Sequence, residues 1–511
     1  MPKVLRGFTD YLNSSKFYRL VIIFFIIEAA WIAVSAAYPQ AFDENFHFGL
    51  IRVYSHYWLP FLTKQPPNAN AYGAVARNPS YLYEYLMSFP YRLIALVVHR
   101  QLTQVIILRF INIGLMTGAL VLFKRVLVRV GTSRALSNLL LALFVLIPIV
   151  PQLAAQVNYD NLLILLTAAM VLVAFRLVDQ IRQRRLSVID LSLWISLCTF
   201  TSLVKYAFLP IFAGMLLFLA VLIYRTNRSA RLSLKRQITG SWHVSKVWLR
   251  AAVIGLLILS IGMFMQMDGV NLVLYHKLQP DCSQVLSVKD CLAYSPWAYN
   301  YHNHIEVIKK AASIHYANPL EYIGEWLYWM WYRLFFAVNG LNSHFRNYPP
   351  LPLPSTATLL AVLAGLAALI KWWRKIFANN LYLVMLFVIA ACYVVALMGQ
   401  GYVTYKYTDV LENMNGRYLL PILLPSAVIF GQAISYGLRR FNVRKTILAM
   451  LVLLLFLEGG GALTFIIRSN STWYTPNKTI IKANNTIRKV IKPIVLNNKK
   501  HIGKEPWFIV N

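Results

Sequence analysis

Acidic residues are scarce in this chain. Only 18 of its 511 residues are Asp or Glu, and charged residues of both signs make up 13%, about half the share of a soluble domain. Set beside 58% hydrophobic and 14% aromatic residues, that shortage excludes both a water-soluble globular fold and a disordered chain. The sequence contains no glycine-rich phosphate loop and no Gly-x-Ser-x-Gly elbow. A soluble hydrolase or a nucleotide-sugar enzyme therefore lacks its usual carriers. Cysteine is rare as well, with four in all. Cys198 and Cys392 fall inside apolar runs and read as small buried hydrophobes.

What the chain does have is apolar runs long enough to cross about 30 Å of hydrocarbon. Eleven are expected, at 17–38, 104–123, 136–154, 161–177, 188–205, 207–224, 250–267, 356–372, 379–398, 417–436 and 446–467. The first lacks a small-residue cleavage pattern and reads as a retained helix. The 50 Lys and Arg residues against 18 acidic ones leave a net charge of +32. The basic runs, such as Arg182 with Arg184-Arg185, Lys235-Arg236 and Arg439-Arg440, fall on short loops of one side. The longer loops 39–103 and 268–355 on the other side are sparse in them. This positive-inside asymmetry puts the N-terminus in the cytoplasm and the two long loops outside. The charge is thus an orientation signal and an attraction to lipid headgroups, and no nucleic-acid partner is expected. The predicted fold is an all-α polytopic membrane protein with about 11 transmembrane helices. Residues 1–467 form the transmembrane module. The basic tail 468–511 departs from the charge rule and is expected on the outer face, lying on the membrane or capping a site.

Cys282 and Cys291 share the 268–355 loop, where an oxidising compartment would join them; the alternative is two free thiols. In the first outer loop, Phe46, Leu50, Val53 and Tyr57 recur at helical spacing beside a second stripe of His47, Tyr54 and Trp58. This predicts an interfacial helix with Asp43-Glu44 at its N-terminus, where carboxylates complement the helix dipole. A second apolar helix, about 81–98, carries Glu84, Pro90 and Arg92 and is expected to be half-embedded. The aromatic run Trp326, Tyr328, Trp329, Trp331, Tyr332, Phe335 and Phe336 reads as an anchoring helix at the interface. His302, His304 and His315 in the same loop make a poor metal site.

Ionisable groups at membrane depth each pose a functional question. Glu28 and Glu458 lie mid-span, where a partner within the bundle is the simplest account. Asp43, Glu44, Asp160, Lys205 and Arg417 instead all fall at the outer boundary. Carboxylates and cations stand there at the level where a lipid-linked phosphate presents its head group. Glycosyl transfer from such a donor needs a carboxylate to take the acceptor's proton and cations to stabilise the departing phosphate.

The layout resembles the GT-C superfamily of integral-membrane glycosyltransferases, which includes protein O-mannosyltransferases and lipid A aminoarabinose transferases. The resemblance rests on Asp43-Glu44 after the first span, Asn78-Pro79-Ser80-Tyr81-Leu82-Tyr83, Asn158-Tyr159-Asp160, Lys205 and Gly416-Arg417-Tyr418-Leu419-Leu420-Pro421. Within the superfamily, an uncharacterised bacterial membrane-protein family is the most similar. The resemblance implies a polyprenyl-phosphate-sugar donor, transfer to a glycan, lipid or protein acceptor, and Asp43 as the base, with Glu44 orienting it or binding a cation. By the same resemblance Arg417, Lys205, Asp160, His47 and Tyr418 contact substrate. Some GT-C members use a divalent metal and others do not. The family's Pro-Pro-Leu-Tyr string stands here as Asn78-Pro79-Ser80-Tyr81. A transporter or flippase of lipid-linked sugars is the competing reading, although no internal repeat is present. A non-catalytic partner in surface-polysaccharide assembly is the third.

Overall fold

Three serines start helices that the apolar runs predict. Ser14, Ser133 and Ser187 accept hydrogen bonds through their hydroxyls from the backbone amides of Phe17, Leu136 and Asp190. Each meets a first-turn amide that the helix itself leaves unpaired. The computed structural model describes residues 3–62, 64–230, 246–310, 318–335, 337–341, 344–348, 352–378, 380–408, 411, 414–439, 442–457, 460–469 and 473–495.

The first half of the chain forms α1 (Lys3–Asn13), α2 (Ser15–Ser35), α3 (Glu44–Tyr54), α4 (Leu82–Val97), α5 (Gln101–Arg129), α6 (Arg134–Val145), α7 (Ile149–Ala154), α8 (Asp160–Arg182), α9 (Val188–Val204) and α10 (Leu209–Ala230). Next, α11 (Val247–Phe264) passes through a π-helical turn at Met265–Gly269 into α12 (Val270–Tyr275). Then come α13 (Ser295–Lys310), α14 (Pro319–Phe335) and an antiparallel hairpin of β1 (Ala337–Leu341) and β2 (His344–Tyr348), which pairs Ala337 with Tyr348. The chain continues through α15 (Pro352–Phe377), α16 (Leu381–Thr408), α17 (Leu420–Gly437), α18 (Asn442–Leu457), α19 (Ala462–Arg468) and α20 (Lys478–Val495). Among the described residues the hairpin and one bridge, Ala36 to Tyr474, are the only β-structure.

The protein is a multi-pass helical membrane protein. Nine helices among the described residues are long and apolar enough to cross a bilayer: α2, α5, α8, α10, α11 with α12, α15, α16, α17, and α18 with α19. The other two expected spans are shorter. The 136–154 run is divided into α6 and α7 at Leu146–Pro148, because proline lacks the amide a continuous helix needs. The 188–205 run forms the 17-residue α9, about 25 Å long and at the short limit for a span. Both still return the chain to one end of the bundle, since Asp160 and Lys205 meet there.

The core is organised around α5 and α8. On α5, Val105, Leu108, Met116, Ala119, Leu120, Phe123 and Val126 are fully buried at helical spacing, with Arg109 and Asn112 on the same face. On α8 the buried stripe runs from Asp160 through Ile164, Ala168 and Val171 to Phe175. In lipid such helices gain little from the hydrophobic effect, so close packing and interhelical hydrogen bonds hold them together.

The packing of two helices fills in what the sequence left open. α3 forms as predicted and ends at Tyr54; His47, Leu50 and Tyr54 are buried, Phe46, Val53 and Tyr57 are half-buried, and Trp58 beyond its end is exposed. Buried His47 meets Glu84, and buried Tyr54 meets the Tyr81 and Tyr85 rings. The aromatic helix α14 packs Tyr322, Trp326 and Met330 against Tyr402, Tyr405 and Met414 rather than serving only as an interfacial anchor. Lys235-Arg236, His315, Phe336, Glu458 and the tail from 496 to 511 lie outside the described residues.

Candidate functional site

The segment between α2 and α3 positions the site. Phe42 and Asp43 are both left-handed, with φ of 67° and 68°, a conformation that strains residues bearing a side chain. Two donors fix it: Asn158 Nδ2 and Arg417 Nη1 reach the Phe42 carbonyl at 2.7 and 2.9 Å. Asn158 also accepts from the Asp160 amide, and Asn415 accepts from the Arg417 amide. Three separate loops thus meet at one turn.

Here the two carboxylates of the first loop part company. Glu44 is fully buried and accepts from Arg109 Nε and Nη2 at 2.8 and 2.7 Å, and from the Gln40 and Val157 amides. Arg109 spends its remaining donors on the carbonyls of Ala33, Ala36 and Ala37. The pair therefore anchors the loop to the end of α2, and helix-dipole complementarity is not what keeps Glu44 there. Asp43, one residue earlier, makes no side-chain cap bond to α3. Its Oδ2 accepts from Arg417 Nη2 at 2.7 Å, yet its side chain stays 41% exposed.

From Asp43 the charges alternate inward. Arg417 Nε lies 3.8 Å from Asp160 Oδ2, and Lys205 Nζ donates to Asp160 Oδ1 at 2.7 Å. Arg417, Lys205 and Asp160 are nearly enclosed. Two acids and two bases cancel formally, which is what lets four charges sit so close to the membrane. Aromatic faces line the cations: Lys205 Nζ is 4.4 Å from the Tyr159 ring and 4.8 Å from Tyr418, while Arg417 stands over Phe42 and Tyr418. Such contacts add attraction where water is excluded. Burial raises the Asp43 pKa, but the Arg417 charge and hydrogen bond, helped by His47 and Lys205, outweigh it and hold the carboxyl below its ordinary 3.8.

His47 lies one turn along α3 from Asp43, buried, with Nδ1 2.7 Å from Glu84 Oε1. A cavity of about 560 Å³ opens beside the cluster, between Phe46 on α3, Tyr206 after Lys205, Arg77-Asn78, Lys277, Tyr294 and Trp297. Tyr72 on its wall crosses α3 at Gly49, where a Cβ would come within 2.2 Å of the tyrosine ring. Burial, then the nearby Asp43 and Tyr418, push the Tyr294 hydroxyl up, so it stays a neutral donor. Arg77 and Lys277 form no ion pair among the described residues.

All seven candidate residues thus gather at one end of the bundle: Asp43, His47, Asp160, Lys205, Arg417 and Tyr418 around one cluster, and Glu44 directly behind it. Arg109, Glu84, Tyr294, Arg77 and Lys277 join them without having been singled out as site residues. Arg109 did carry a signal, a lone guanidinium inside an apolar run. Among the described residues no group of three or more His, Cys, Asp or Glu could hold a metal ion, and His302 is exposed on α13.

No protein-family model, no curated protein and no solved structure matches the chain.

Cys282 and Cys291 are joined in a disulfide, and Cys282 contributes to the cavity wall. Thiol titration of the denatured, unreduced protein is expected to find two thiols, Cys198 and Cys392, rising to four after reduction. Four thiols before reduction would remove the bridge.

Proposed function

We propose that the protein is a membrane glycosyltransferase that moves a sugar from a polyprenyl-phosphate donor to an acceptor on the extracytoplasmic face. One observation carries the reading: an ionised, accessible carboxylate, Asp43, is paired with buried Arg417 and lies within electrostatic reach of Tyr294 on the wall of a cavity. In the reaction the acceptor hydroxyl gives its proton to Asp43 as its oxygen bonds to the anomeric carbon. The bond from that carbon to the phosphate oxygen breaks, and the electron pair leaves with the phosphate, inverting the centre. Arg77 and Lys277 are free to meet the phosphate, while Arg417 and Lys205 beneath gain an uncompensated positive charge once Asp43 takes the proton. Tyr294 can donate to the incoming hydroxyl or the sugar. The basic loops and the disulfide beside the cavity support an outward-facing site.

A transport reading has its own observation. Buried Glu28 accepts from the Ala462 amide at 3.2 Å, where the α6–α7 break meets Gly461 through its bond to Leu146 O. Broken helices around a buried carboxylate are a transporter feature. The test is transfer of labelled sugar from polyprenyl phosphate in membranes holding the unaltered protein. Label reaching an acceptor supports the enzyme; label crossing the bilayer still on its carrier supports transport. Because Asp43 is held below its ordinary pKa, it stays ionised as pH falls through mild acid. The transfer rate is expected to stay level from roughly pH 7 down to pH 5. An acid limb centred between those values would assign the base elsewhere.

A further inference from the structure

The tail helix α20 carries Lys478, Lys482, Arg488, Lys489 and Lys492 and no Asp or Glu. Its approach is tied to α2. The Ala37 amide donates to Trp473 O at 2.7 Å, and the Thr475 amide to Ser35 O at 2.8 Å. Buried Asn484 then accepts from Trp31 Nε1 at 2.9 Å. Trp31 lies four residues before the end of α2, about 6 Å below it. At that depth α20 lies level with the bilayer interface, on the same end of the bundle as Asp43, rather than above it.

The helix is divided lengthwise. Ile481 and Ile487 pack on the core. At 100° per residue, Val490 and Ile494 fall on one flank of that contact face, and Lys478, Lys482, Lys489 and Lys492 on the other. Val490 and Ile494 are 61% and 70% exposed. Arg488 is occupied by Ser469 O and Asn485 Oδ1. The four lysines are exposed and make no ion pair among the described residues. Like charges one turn apart repel, and no carboxylate on α20 offsets them.

We propose that α20 is a binding site for anionic phospholipid. Headgroups of the phosphatidylglycerol type line the lysine flank, and Val490 and Ile494 enter the acyl region beside them. An in-plane helix with an apolar flank and a basic flank meets both parts of such a lipid. On the orientation that the loops imply, this accounts for the one basic segment that breaks the charge rule: its charge is held by lipid. The inference does not depend on the reaction at Asp43.

The test uses the full chain, with Cys198 and Cys392 replaced by Ala and Val490→Cys labelled with bimane. It is placed in nanodiscs of mixed phosphatidylglycerol and phosphatidylcholine, and each lipid is spin-labelled in turn. Quenching by labelled phosphatidylglycerol is expected to exceed quenching by labelled phosphatidylcholine, with a factor of about five for each lysine that meets a headgroup. Replacing the four lysines by Gln brings the ratio to one. Equal quenching in the unaltered helix, no quenching by either lipid, or a ratio that survives the four substitutions overturns the proposal. Ile494→Cys repeats the measurement should Val490→Cys fail to elute as folded protein.

Discussion

Asp43→Asn is expected to accumulate at the level of the unaltered protein and to lose transfer by about 10²–10⁴-fold, the range for removal of a general base. Asparagine keeps the size of the side chain, and its Oδ1 can still accept from Arg417 Nη2, so the turn at Phe42 retains its supports. What disappears is a charge that can take a proton. Asp160 cannot substitute, because its carboxylate is enclosed and held by Lys205. Glu44 cannot either, since Arg109 and two amides occupy both its oxygens. A fall confined to KM would make Asp43 a binding group, and an undiminished rate would move the base elsewhere.

Arg109→Met is expected to cost stability rather than chemistry, by about 3–5 kcal/mol. It strands a fully buried carboxylate and takes hydrogen bonds from three carbonyls at the end of α2. Glu44→Gln is expected to be costly in the same way, because it leaves the guanidinium without its counter-charge. The double variant should lose less than the two single losses added together, since neither charge is then left alone. Thermal unfolding in detergent, followed by size-exclusion chromatography, reads this directly. Single variants that melt with the unaltered protein would show the pair to be dispensable.

Much of the fold is legible because lipid punishes exposed backbone so heavily that apolar runs must be helices. Those runs locate nine candidate spans, and the Asp43-Glu44 step marks the start of α3. Hydropathy is blind to the break in α6–α7, which the prolines at 148 and 151 announce. Partner choice is another matter. Asp43, Asp160, Lys205 and Arg417 share a boundary, so their meeting could be foreseen, but not the order Asp43–Arg417–Asp160–Lys205 in which they pair. Glu44 with Arg109, and His47 with Glu84, join residues far apart in sequence through packing alone. His47 and Tyr54 are buried on α3 because their partners come from another helix.

The bridge between Ala36 and Tyr474 sets a clock. Its two partners stand 474 − 36 = 438 residues apart in the sequence. At ribosomal speeds of about 5–20 residues per second, roughly 20–90 s separate them. Until then Ser35 O and the Ala37 amide await the partners that Thr475 and Trp473 supply, next to the turn that presents Asp43. A nascent chain can therefore complete this corner only after α3 to α19 have been made. Messages truncated late should yield chains with most spans in place and that corner unfinished, a state that membrane proteases are suited to recognise.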